Sequence, residues 1–152
     1  MRGRKRHLLV DTEGLIVAVK VHAANIQDRD GARLLLEPLA GRLPRMKKLW
    51  VDSGYAGKCV EWIQDHMGWD VEVTRKLSEV ARGVGTSPSG SVPANPAGFH
   101  VVPRRWVVER TFAWLGRYRR LSKDYEGLAT TSEAWIRFAM IRLLTRRLAS
   151  GI

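Results

Sequence analysis

From Pro103 to Arg120 the chain reads Pro-Arg-Arg-Trp-Val-Val-Glu-Arg-Thr-Phe-Ala-Trp-Leu-Gly-Arg-Tyr-Arg-Arg, which is about five helical turns. A proline suits a first helical turn, and Val108, Thr111, Phe112, Leu115 and Tyr118 recur at steps of three and four, so the spacing predicts one amphipathic helix with these five as its buried stripe. Such a helix needs a core to lie on. At about 100° per residue, Arg105, Glu109, Gly116 and Arg120 share a face on the border between core and solvent. A carboxylate at that border can be held rigidly and still reach a ligand. The same spacing also fits an ordinary exposed Arg105–Glu109 pair, worth a few tenths of a kcal/mol.

The chain of 152 residues is 45% hydrophobic, enough for the core of one domain, here taken as 1–152. Its 26 Lys and Arg against 15 Asp and Glu leave a net charge of +11, which favours a polyanionic partner, with nucleic acid the leading expectation. No apolar run approaches the roughly 18 to 20 residues of a spanning helix, and the basic N-terminus leads into no signal-like segment. No membrane partner is expected. The single cysteine, Cys59, excludes an internal disulfide and an all-cysteine zinc site, which fits a reducing, cytoplasmic setting. His7, His22, His66 and His100 show no close metal-ligand spacing.

Taken in order, four of the five residues Arg2 to Arg6 are basic, and Leu8-Leu9-Val10 and Leu15 to Val21 flank Asp11-Thr12-Glu13-Gly14, the pattern of a β-hairpin. A helix is predicted from about Asp28 to Leu39, with Asn25 or Asp28 as its cap and Leu34, Leu35 and Leu39 facing inward. Lys48-Leu-Trp-Val-Asp52 then reads as a buried strand entering the tight loop Ser53-Gly54-Tyr55-Ala56-Gly57, with a helix from about Lys58 to His66 after it. Ligands in open α/β sheets sit at the C-terminal ends of strands, so Asp52 is a candidate site residue. A turn aspartate or a helix cap is the alternative reading.

Val71 to Thr74 alternates as one more strand, and about 77–98 is rich in Gly, Ser, Pro and Ala without periodicity, as a mobile loop would be. Arg117, Arg119, Arg120 and Lys123 follow the central helix, and a last helix begins near Thr130 to Glu133 with the spacing of a capping box. Its Arg137, Arg142, Arg146 and Arg147 read as a solvated face.

Five segments, in order, resemble one family: Gly3 to Gly14, Ala24 to Ala32, Trp50 to Gly57, Pro103 to Gly116, and Arg119 to Glu126. They are similar to the DDE-type transposases of bacterial insertion sequences, in the IS5 branch of the IS4-like group. The resemblance implies an α/β, RNase H-like fold and a metal-binding triad of two aspartates and a glutamate. By motif the second aspartate falls on Asp52 and the glutamate on Glu109, which would act in catalysis and in binding Mg²⁺ or Mn²⁺. Arg105 matches the family's arginine four residues before the glutamate, whereas Val102 stands for its tyrosine and Gly116 for its lysine. Arg117 or Arg120 would then replace that lysine in holding phosphate.

The family's first catalytic aspartate lies on a strand upstream of the opening hairpin, and Asp11, in the hairpin turn, is not its equivalent. The resemblance therefore implies the C-terminal part of a transposase domain, truncated before its first strand and inactive in isolation, or joined to an upstream frame. DNA is the implied partner, contacted by Arg104, Arg105, Arg110, Arg117, Arg119, Arg120 and Lys123, with a second copy or an upstream-frame product as further partners. Two other readings of the residues stand beside this one: a DNA-binding remnant without catalysis, and a small basic RNA-associated protein.

Overall fold

A computed structural model describes residues 3–74 and 106–151. Arg104 and Arg105 and the predicted loop at 77–98 lie outside the described residues. Strands β1 (Arg4–Val10) and β2 (Ile16–Ala23) form the expected antiparallel hairpin, with Leu8 opposite Val19 and a register shift at Leu9/Val10. Its turn is built by Asp11, whose Oδ1 accepts the backbone N–H groups of Glu13 and Leu15, each at 2.9 Å. Helix α1 (Asp28–Leu36), strand β3 (Lys48–Asp52), helix α2 (Lys58–Met67) and strand β4 (Asp70–Thr74) follow, and β4 pairs parallel to β3. A parallel pair needs a crossover, which α2 supplies. Helices α3 (Trp106–Gly116) and α4 (Ala129–Ala149) complete a mixed α/β architecture. No helix among the described residues is long and apolar enough to cross a membrane.

Side chains alternate across a strand, so the hairpin has two apolar faces. Leu9 packs with Ala32, Leu35 and Leu36 of α1 and Cys59 and Ile63 of α2. Val19 and Val21 pack on the other face with Leu115, Leu121, Ile136 and Ala139. The hairpin is thus sandwiched between α1 and the α3–α4 pair, and it becomes the frame on which both are placed.

Several local expectations need correction. The predicted helix over Pro103 to Arg120 stops at Gly116, and Arg119–Leu121 form a separate 3-10 turn. Its buried line is Val107, Thr111 and Leu115, while Phe112 stands 39% exposed. Tertiary contacts set that rotation: Thr111 Oγ1 donates to the Gly14 carbonyl at 2.6 Å and Arg110 donates to the Glu13 carbonyl at 2.7 Å. A β-carbon at Gly14 (φ 81°) would sit 2.8 Å from Thr111 Oγ1, so the turn must be glycine for α3 to dock.

Helix α1 ends at Leu36 before a 3-10 turn, Glu37–Leu39, and its N-cap is Gln27, with neither Asn25 nor Asp28 capping. Helix α4 is capped at Leu128 without a side-chain bond, so Glu133 closes no capping box. Glu133 instead reaches the outer edge of β2 and accepts the Val21 N–H at 2.9 Å. Edge strands carry unpaired backbone donors, and here a buried carboxylate covers one.

Candidate active site

Asp52 ends β3 and Glu109 lies in the first described turn of α3, and both line one cavity of about 830 Å³. That volume lies within the range of small-molecule and cofactor sites. The walls between them are largely apolar, with Leu9, Val17, Leu49 and Val107 among them. Asp11 also lines this cavity, but its Oδ1 is engaged by the hairpin turn. Asp52 accepts the Gly54 N–H through Oδ1 and so starts the 3-10 turn Ser53–Tyr55. It is a cap and a cavity carboxylate at once, which joins two alternatives that the sequence left open. Glu109 has no ion-pair partner among the described residues.

The donor chemistry fits a hard divalent cation, because Mg²⁺ takes one or two carboxylates and completes its shell with water and phosphate oxygens. Among the described residues no group of three or more His, Cys, Asp and Glu side chains is arranged to hold a metal. Asp52 and Glu109 would therefore supply only part of such an ion's shell, and the cavity leaves room for oxygen atoms from elsewhere.

The basic residues divide by environment. Arg110 lies over the rings of Trp106 and Trp114, with its guanidinium carbon 4.3 and 5.1 Å from their centroids, and it bonds the hairpin turn. It ties α3 to the hairpin and so helps aim Glu109. Arg120 pairs with Glu126 at 2.8 Å and stacks on Trp135. Arg117, Arg119 and Lys123 are exposed and have no ion-pair partner among the described residues.

Beneath the Asp52 loop lies a histidine pair that sequence spacing did not reveal. His7 and His22 stack with ring centroids 4.8 Å apart, and Tyr55, three residues after Asp52, bonds His7 Nδ1 at 3.1 Å. Their positions on facing strands, with His7 opposite Lys20 and His22 opposite Lys5, were the signal, legible only once the hairpin register is set. Burial holds Tyr55 up to about 12, so its phenol stays protonated. Burial, reinforced by His22, lowers His7 below the usual histidine range, with Asp28 opposing.

A histidine whose folded pKa lies below its unfolded value contributes stability above the unfolded pKa, near 6.5. That stability is lost as pH falls through 6.5 towards the folded value, because the unfolded chain then binds more protons. Acidification from pH 7 to 5 is accordingly expected to lower the unfolding midpoint in urea, and His7→Gln to flatten that part of the profile. An equally steep profile in the variant would remove His7 from this role.

Residues 1–144 of the chain match a family model described as the transposase DDE domain. It is also 30% identical, over 142 residues, to a putative transposase for insertion sequence element IS402 from Burkholderia cepacia. That alignment covers 89% of this chain and 59% of the relative, so the chain spans less than two thirds of the relative's length. No solved structure gives a significant match. On a family match that runs through nearly all its residues, and with an aspartate and a glutamate brought to one cavity, the chain belongs to the DDE transposase domain family.

Proposed function

We propose that this chain is part of a DNA transposase of the IS5 branch, with an RNase H-like catalytic domain that cleaves DNA strands and joins them to a target in the cytoplasm. The observation that carries the reading is the meeting of Asp52 and Glu109 at one cavity, from a strand end and a helix. These two residues would hold Mg²⁺ or Mn²⁺, which when bound activates the attacking oxygen and stabilises the leaving one. The chain's own contribution is placement. Gly54 N–H fixes one Asp52 oxygen, and Thr111 and Arg110 lock α3 to the hairpin, so the Asp52 carboxylate and the backbone that carries Glu109 are in place before DNA arrives. Arg117, Arg119 and Lys123 offer cations to the phosphate backbone.

The sheets support a larger domain. Among the described residues β1 pairs only with β2 and β3 only with β4, yet residues of β1 and β3 line the same cavity. An additional extended strand between them would complete one sheet and could bring a third carboxylate to the pair. A preceding segment, an upstream-frame product or a second copy could provide it. A second reading, DNA binding without cleavage, is favoured by the two-carboxylate set.

Titration with Mn²⁺ tests the carboxylate pair. Binding only to the folded state raises the melting temperature, and about 1 kcal/mol of binding corresponds to roughly 2–4 °C in a domain of this size. The rise is expected in the wild-type chain, absent in Asp52→Asn and Glu109→Gln, and kept in Asp11→Asn. Supplying the upstream segment should add metal-dependent nicking of duplex DNA. A well-folded protein with that segment which binds metal but cuts nothing supports the second reading; one that binds no metal ends the catalytic assignment of both residues.

A further inference from the structure

Where the end of α3 meets the last turns of α4, the side chains of Arg117, Arg142, Arg146 and Arg147 line a cavity of about 430 Å³ with Trp114 and Tyr118. It shares no lining residue with the cavity of Asp52 and Glu109. No Asp or Glu is among its lining residues, and the acidic side chain paired with one of them among the described residues is Glu13, 3.7 Å from Arg147. Elsewhere several basic side chains are matched, Arg4 with Asp124, Lys5 with Asp28, Lys20 with Glu133, Lys48 with Asp70 and Glu72, while among the described residues Arg119 and Lys123 stand singly on the surface. Arg117, Arg142 and Arg146 have no such partner among the described residues.

Arg146 and Arg147 lie in the last turn of α4, where cations favour the helix dipole. That ordinary explanation does not extend to Arg142, about two turns from the helix end, or to Arg117, which is on another element. Arg142 and Arg146 are also a like-charged pair at a four-residue spacing, which disfavours a bare helix. The aromatic rings show how the cluster is arranged. Arg142 and Arg147 lie over the rings of Tyr118 and Trp114, with guanidinium carbons 5.7 and 5.0 Å from the ring centroids. A ring takes none of a guanidinium's hydrogen-bonding partners, so the N–H fork that matches phosphate oxygens stays available.

We infer that this pocket binds the phosphodiester backbone of a DNA strand, away from the carboxylate pair. The inference rests on the nucleic-acid reading proposed above and adds a location to it. It also turns three residues read from sequence as a solvated face, Arg142, Arg146 and Arg147, into an anion-binding group with Arg117.

The test is binding of a labelled duplex to the full chain across a salt series. Arg142→Gln combined with Arg146→Gln should weaken binding about tenfold at low salt and reduce the slope of log affinity against log salt by about one, as expected for one lost phosphate contact. Lys58→Gln combined with Arg137→Gln removes the same charge outside the pocket and should leave the slope unchanged, with thermal unfolding confirming that both proteins fold. Equal losses in the two double variants would overturn the pocket while leaving DNA binding in place. Wild-type protein that binds no duplex at low salt would overturn the nucleic-acid reading itself. In that case, thermal stabilisation by inorganic phosphate, lost in the Arg142/Arg146 variant, would identify a free-phosphate site and refute the phosphodiester assignment.

Discussion

Gly31→Ala is expected to destabilise the protein by about 2–3 kcal/mol, in the range of overpacked cores, although helix propensity alone would favour alanine by about 1 kcal/mol. Gly31 is buried in α1, and a β-carbon there would collide with His22 Nε2 and His7 Nε2 together. Neither ring can simply swing away. Tyr55 bonds His7 Nδ1, and His22 Nδ1 bonds the Ala23 carbonyl at 2.8 Å. Urea unfolding of Gly31→Ala, His22→Ala and the double variant measures the coupling. The double variant should lose less than the sum of the single losses. A Gly31→Ala protein as stable as wild type would show that α1 does not rest on the histidine pair. Because that pair touches the loop after Asp52 through Tyr55, a shift of α1 should also weaken the metal response of the site.

Glu133→Ala should cost about 2–3 kcal/mol, chiefly because it leaves the Val21 backbone donor without its acceptor, the two solvent-exposed cations adding little. Glu133 is 8% exposed and accepts the Val21 N–H at 2.9 Å, with Lys20 at 3.6 Å and Arg137 at 3.8 Å. Glu133→Gln keeps an oxygen for the Val21 N–H and should lose clearly less. Equal losses would locate the effect in the charge and not in the strand edge. Since Glu133 and Ile136 together seat α4 on β2, the alanine variant should also loosen the arginine pocket carried by the same helix and weaken DNA binding in parallel.

Local pattern made much of the fold legible. Two aliphatic runs around the turn Asp11 to Gly14 predict the hairpin, a short apolar run predicts β3 ending at Asp52, and three-four spacing predicts the helix that carries Glu109. These features repeat within a few residues, where backbone geometry alone sets which side chains share a face. The rotation of that helix was legible only in part. The sequence puts Thr111 and Leu115 inward, as they are, but also Phe112, whereas Val107 takes the inner position because Thr111 and Arg110 bond the carbonyls of the distant hairpin turn. Glu133 likewise fits a capping box by spacing, but an uncovered strand edge is a stronger claim on a carboxylate than an exposed helix end.

The candidate site divides in the same way. By residue type and local pattern, the sequence itself determined that Asp52 would stand at a strand end and Glu109 on a helix near its core border. Only the tertiary structure decided that both line one cavity, that His7 and His22 stack beneath Tyr55, and that arginines of two helices surround a second cavity. Periodicity orders neighbours along one element, whereas these groupings depend on how separate elements dock, and docking is set by long-range packing and by the backbone donors and acceptors that each element leaves unpaired.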